Sequence, residues 1–157
     1  MNIEYTDARI ARYELSIDID APRTRVWKSL TDEINAWWLP SFHMVGEDSV
    51  VTFRAEAGGT LHEKKEGGGS LLWCTVQMVD PGVSIHMVGH SAPEWGGPNT
   101  GMLRFSLEDR EGGCTLQVGH AIFGNVTEEH AKSMYDGWTE LFTDGLKAYV
   151  ETAKVAS

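Results

Sequence analysis

Long apolar runs are missing from this chain. The longest, at 36–39 and 71–74, fall far short of the roughly 20 apolar residues that a membrane-spanning helix needs. Residues 1–20 contain no apolar h-region, so no signal peptide is expected. Basic residues are scarce too. Thirteen Lys and Arg stand against 23 Asp and Glu, a net charge of −10, and Lys64-Lys65 is the only basic doublet. Nucleic acid and membrane surfaces are therefore poor partners. Cysteine is limited to Cys74 and Cys114, with no Cys-x-x-Cys and no Cys/His ligand spacing. Two free thiols in a reducing, cytoplasmic compartment are the preferred reading, with a single disulfide left open. There is no Gly-x-Ser-x-Gly nucleophile motif and no phosphate-cradling loop. Gly67-Gly68-Gly69 reads as a hairpin turn, because neither Lys-Ser/Thr nor a helix follows it.

What is present suits one globular domain spanning residues 1–157. The chain is 41% hydrophobic and 23% charged. A domain of this size buries roughly 68–70% of its unfolded surface, enough to stand without disulfide or metal. Tyr13, Leu15, Ile17 and Ile19 alternate with polar residues, the period of a half-buried strand. Asp20 before Ala21-Pro22 predicts an N-cap and a short helix, and Thr31-Asp32 predicts the cap of a second short helix ending near Pro40. Strands are expected near 42–45, 50–55, 59–65, 70–79, 83–89, 100–108 and 114–122, separated by Gly-, Pro- and Asp-rich turns. Beyond Thr127, an N-cap candidate, the period changes. Met134, Trp138, Leu141, Phe142, Gly145 and Tyr149 mark one face of a helix running to about 153. The fold class is α+β, a curved antiparallel sheet wrapped around a long C-terminal helix.

A family likeness accompanies this reading. Ala21-Pro22, Val26-Trp27, Leu30-Thr31-Asp32 and Trp37-Trp38-Leu39-Pro40 follow the first strand in order. Gly58-Gly59, Val79-Asp80-Pro81, Thr115-Leu116 with His120 and Phe123, and Gly137-Trp138 come after them. This series resembles the START-like, or SRPBCC, superfamily, most of all the branch named after the activator of heat-shock protein 90 ATPase. The resemblance implies a helix-grip fold over a core of about 10–153, with an apolar cavity between sheet and helix. The superfamily holds lipid carriers, hormone and pollen-allergen-type binders, polyketide aromatases and cyclases, and co-chaperones, so fold alone does not select a function. Two departures bear on the cavity mouth. Trp73-Cys74 replaces a polar residue and Gly, and the loop SAPEWGGPN at 91–99 adds Trp95.

Several residues could carry chemistry. His120 shares the inward face of its strand with Leu116 and Val118, as a polar anchor or acid/base group. The more ordinary reading, a buried His paired to a neighbour, is preferred. Glu63 shares a face with Leu61, where an acid must be paired or protonated, but Glu63-Lys64-Lys65-Glu66 reads more simply as a solvated hairpin end. His86 and His90 share a strand face, with His62 as a third possible ligand, yet no acid or cysteine completes a set, so no metal is expected. No cofactor is expected either. The cavity candidates are Tyr13, Trp37, Trp38, Phe53, Trp73, Met87, Phe105, His120, Phe123, Trp138, Leu141, Phe142 and Gly145. The expected function is binding of a small apolar or amphipathic molecule, with cyclase-like acid/base chemistry as an open extension. The alternative is a protein-interaction module that regulates a chaperone ATPase, with the Trp95 loop as its surface. A monomer and a homodimer are both compatible with the sequence.

Overall fold

The computed structural model describes the backbone of residues 1–156 and the side chains of residues 1–152. Seven strands form one antiparallel sheet: β1 (Arg9–Ile19), β2 (Val50–Phe53), β3 (Thr60–Lys64), β4 (Ser70–Asp80), β5 (Ser84–Ser91), β6 (Asn99–Arg110) and β7 (Gly113–Gly124). Their order is β1-β7-β6-β5-β4-β3-β2, so every neighbour except β1–β7 is a sequential hairpin. Register shifts at Leu61/His62 and between Val76 and Met78 interrupt the ladders of β3–β4 and β4–β5. Such bulges bend a strand and help a sheet to curl. Two short helices, α1 (Arg23–Thr31) and α2 (Ile34–Trp37), follow β1. The structure has the helix-grip architecture, with the concave face of the sheet turned toward the C-terminal helix.

Three local expectations are corrected. Residues 42–45 are not a strand. Pro40 opens a 3-10 turn over Pro40–Phe42 that the His43 N–H closes on the Pro40 carbonyl, and the backbone donors after it, on Met44 and Val45, bond to the Glu63 carboxylate instead of a ladder. Asp20 does not cap α1. Pro22 holds that position with no side-chain bond, and the Asp20 carboxylate accepts from Arg110 at 2.6 Å. Thr31 does not cap α2, since its hydroxyl donates back to the Trp27 carbonyl at 2.8 Å. Thr127 does cap the long helix, accepting from the His130 N–H at 3.0 Å.

That helix is a continuous rod in three parts: α3 (Glu128–Glu140), a π-helical stretch Leu141–Lys147, and α4 (Ala148–Ala156). Its burial is lopsided. No residue of α3 is fully buried, whereas Leu141, Phe142, Gly145, Leu146 and Val150 all are. Each buried apolar side chain is worth about 1.5–3 kcal/mol, so the second half holds the helix in place. Polar ties act at the same end. Lys147 donates to the Asp18 carbonyl at 2.6 Å, and Glu151 accepts from the Asp20 N–H at 3.0 Å. Tyr149 donates to Glu33, which also takes Arg25.

Gly145 is the closest point of this contact. It faces neither the sheet nor a cavity but α2. A Cβ built there would lie 2.7 Å from the Trp37 carbonyl oxygen and 3.1 Å from its indole Cε3. Gly137, one half-helix earlier, has room, with the nearest atom, Phe42 Cε1, 3.7 Å from an added Cβ. The two glycines should therefore respond in opposite directions. Gly145→Ala is expected to lose about 1–3 kcal/mol by overpacking. Gly137→Ala is expected to gain up to about 1 kcal/mol from helix propensity alone. Urea denaturation of the two variants reads both signs.

Candidate functional site

Where α3 has no fully buried residue, the sheet beneath it presents two glycines and an alanine beside one isoleucine. One level of the inner face runs Ala11, Ile122, Gly101, Gly89 across β1, β7, β6 and β5. The next level carries Tyr13, His120, Leu103 and Met87. Neither glycine is replaceable at this level. A Cβ on Gly89 would lie 2.6 Å from the Trp73 carbonyl, and one on Gly101 would strike Nε2 of His120. The gap between Gly89, Gly101 and α3 is a cavity of about 390 Å³. Its walls are aromatic, from Trp38, Phe42, Trp73, Trp95 and Trp138, with Met44, Leu71, Leu103, Met134 and Leu141 filling between them. Among the described residues, no Asp, Glu, Lys or Arg lines it.

A few polar groups break the apolar surface. The Trp38 indole donates to the Phe42 carbonyl at 3.1 Å and meets Trp73 edge-on, with ring centres 5.5 Å apart. The Trp73 Nε1 is buried without a hydrogen-bond partner. His120 Nδ1 lies 2.6 Å from the Tyr13 hydroxyl. Burial, helped by the neighbouring His130, pushes the His120 pKa down to about 4, so the ring is neutral at pH 7. Burial also raises the Tyr13 phenol well above its usual range. Desolvation drives the Cys74 thiol up to about 12, so this cavity residue is protonated and a poor nucleophile. The second cysteine, Cys114, is also free and buried.

The mouth of the cavity is held by two fastened loops. In the loop that follows β5, Pro93–Trp95 form a 3-10 turn with Trp95 52% exposed, and Gly96, at φ 88°, leaves room for the His130 imidazole, which a Cβ there would strike. Asn99 and Asn125 exchange side-chain bonds with the Asn125 and Gly97 carbonyls. On the other side, residues 43–49 fold over Glu63, which is fully buried rather than a solvated hairpin end. The reason is that β3 stays paired to the sheet edge, Val51 opposite Glu63, while the 43–49 loop closes over it. Its carboxylate accepts from the Met44 and Val45 N–H groups at 2.7 and 3.1 Å and from the Ser49 hydroxyl at 3.0 Å. Glu63 thus positions Met44 at the cavity edge without touching the cavity.

Of the candidate residues, Trp38, Trp73, His120, Trp138 and Leu141 lie on the cavity wall, with Tyr13 behind His120. Trp37, Phe53, Met87, Phe105 and Phe142 belong to the packed core, and Gly145 abuts Trp37. Phe123 is 61% exposed, because an odd offset from His120 turns it to the outer face. Gly89, Gly101, Met44, Leu71 and Met134 escaped the sequence reading. The glycines had a legible signal, since they fall on the same inward period as Met87 and Leu103. His62 and His90 bond to Thr60 and Thr100, and no cluster of three His, Cys, Asp or Glu among the described residues could hold a metal. No helix among them is long and apolar enough to cross a membrane.

Comparison with known proteins agrees with this architecture. The model of the family "Activator of Hsp90 ATPase homolog 1-like protein" matches residues 20–151. The chain belongs to this family. No curated protein matches it in sequence. Among solved structures, an uncharacterized protein from Rhizobium leguminosarum has a TM-score of 0.67 at 16% identity, over 93% of this chain and 97% of the other. Ara h 8.0201 gives 0.67 at 12%, over 92% and 99%. DynU16, from the dynemicin biosynthetic locus, gives 0.69 at 17%, over 90% of this chain and 48% of its own. At these identities the likenesses establish the START-like fold that the family shares.

Two outcomes follow for this family member. Glu63→Ala removes the acceptor of the Met44 and Val45 N–H groups and leaves the Ser49 hydroxyl with His43 Nδ1 alone, and is expected to cost about 2–4 kcal/mol by urea denaturation. The neutral His120 makes stability depend on pH. An unfolded chain binds a proton at this residue below about pH 6.5, whereas the folded ring stays neutral to about 4. Stability is therefore lost as pH falls through that window. Between pH 7 and 5 the native protein should lose up to about 2 kcal/mol more than His120→Gln. Thermal melts that shift in parallel for both proteins would exclude this role for the imidazole.

Proposed function

We propose that this protein binds one small apolar or amphipathic molecule in the cavity between the sheet and α3. The carrying observation is the cavity itself, about 390 Å³ with aromatic walls and a few polar groups. Ligand sites commonly occupy roughly 300–1,000 Å³ with this kind of lining. The split in the helix supports the reading. One half is packed against the core, while the other spans a gap that larger residues at 89 and 101 could not have left. Acid/base chemistry of the cyclase kind would fall to His120, whose ring lines the cavity and is held by the Tyr13 hydroxyl at 2.6 Å. Two buried free thiols fit a reducing, cytoplasmic setting.

Family membership favours a second reading, regulation of a chaperone ATPase through the exposed Trp95 loop. Gly137 separates the two. It lines the cavity but has no close neighbour, so Gly137→Leu should fill the space and leave the fold intact. The native protein is expected to bind an environment-sensitive apolar dye one to one, and Gly137→Leu to lose most of that binding with an unchanged or higher Tm. Dye uptake only under partly denaturing conditions would point to a closed core. A purified chaperone whose ATPase rate responds equally to both proteins would favour the second reading.

A further inference from the structure

The two edges of the sheet are not equally protected. β2 is four residues long, lies against α2 and gives its Val51 N–H to the Asn35 side chain at 2.9 Å. β1 forms the other edge. It is 11 residues long, keeps an unbroken register with β7 and contains no proline. Proteins usually blunt such an edge with a bulge, a proline or a covering element. The C-terminal helix covers only its far end, where Lys147 donates to the Asp18 carbonyl and Glu151 accepts from the Asp20 N–H. These contacts also show which way the strand's polar groups point. In an antiparallel ladder the N–H and C=O of one residue point to the same side, and the side alternates along the strand. The groups of Asp18 and Asp20 point away from β7, while the Ile19 carbonyl points at Gly113 of β7. The N–H and C=O groups of Ile10, Arg12, Glu14 and Ser16 therefore face outward. Among the described residues, none of these groups has a backbone or side-chain partner.

We propose that the open stretch of β1, residues 9–17, pairs antiparallel with the same stretch of a second copy, joining two sheets across a twofold axis at Tyr13. A twofold contact must be self-complementary, and the charge order of this strand is. A centre at Tyr13 uses the whole open stretch. It sets Arg12 of each copy opposite Glu14 of the other, and Ile10 opposite Ser16, so that each opposed pair exchanges both of its N–H···O bonds. On the inner face it sets Ala11 against Leu15, small against large. Moving the centre to Arg12 or to Glu14 would place that charge opposite itself, which destabilises a strand pair. A centre at Glu14 would also run Ile10 into the Lys147 contact at Asp18. Arg12 and Glu14 are both exposed on the outer face, where this pairing needs them. The self-matching order of charges is what identifies the partner as a second copy of this chain. This proposal is independent of the cavity reading.

Sedimentation velocity of the full chain reads the assembly. A strand edge is a small contact, so the series must reach high micromolar concentration. A monomer–dimer equilibrium is expected. Arg12→Glu and Glu14→Arg should each weaken the dimer by about tenfold or more, because both symmetry-related pairs turn repulsive. Mixing the two variants should restore a heterodimer, and the double variant R12E/E14R should restore the homodimer. Circular dichroism and Tm of each variant should match the native protein, since both side chains are exposed. Hydrogen exchange followed by NMR needs no variant and locates the contact. The amides of Ile10, Arg12, Glu14 and Ser16 should exchange fast in dilute solution and slowly in concentrated solution. Those of Ala11, Tyr13 and Leu15, which face β7, should be slow in both. A chain that stays monomeric throughout would overturn the proposal. So would a dimer indifferent to both charge reversals, or one that leaves the four edge amides in fast exchange.

Discussion

The long C-terminal helix is fully buried only along its second half, and there its fit depends on the approach of Gly145 to the carbonyl of Trp37. A side chain at 145 would push the helix away from α2, and with it Leu141, Phe142 and Leu146 from the core. Because the helix is a stiff rod, fixing its second half also sets the height of its first half above the sheet. α3 then stands over Gly89 and Gly101, and a cavity remains between them. The indole of Trp37 reinforces the same point, donating to the Ser29 carbonyl at 2.7 Å and so tying α1 to α2.

Around that constraint, the polar groups divide into those that fasten the rim and those that face the cavity. Glu63 is the clearest fastener. A fully buried carboxylate is costly unless its oxygens are satisfied, and here three donors from residues 44, 45 and 49 satisfy them. The Asn99–Asn125 exchange does the same for the Trp95 loop. His120 faces inward, held in place by Tyr13, and Trp38 meets the Trp73 ring edge-on in the wall. The cavity is thus framed by charge and hydrogen bonding outside its lining, while the lining carries no charge.

Much of this was legible from residue order. The alternation through Tyr13–Ile19, the turn clusters, the Thr127 cap and the 3.6-residue period after it determined the strands, the long helix and the α+β class, because each is a local property of the chain. The inward direction of His120 was legible for the same reason. The pairing of Asp20 with Arg110, 90 positions away, was not, nor was the loop at 43–49, which closes over a carboxylate from another hairpin.

Only the tertiary structure decided which aromatics pack and which line a space. Trp37 and Trp38 are adjacent, yet one seals the core against Gly145 and the other walls the cavity. Periodicity reports which face of an element is buried. It cannot report how far away the opposing element stands. Nor could it distinguish Gly145, crowded by a carbonyl, from Gly137, which is open, since both sit in the same helix at similar spacing. The distance between layers is set by contacts among residues remote in sequence, and on that distance depends whether this apolar interior is filled or able to receive a ligand.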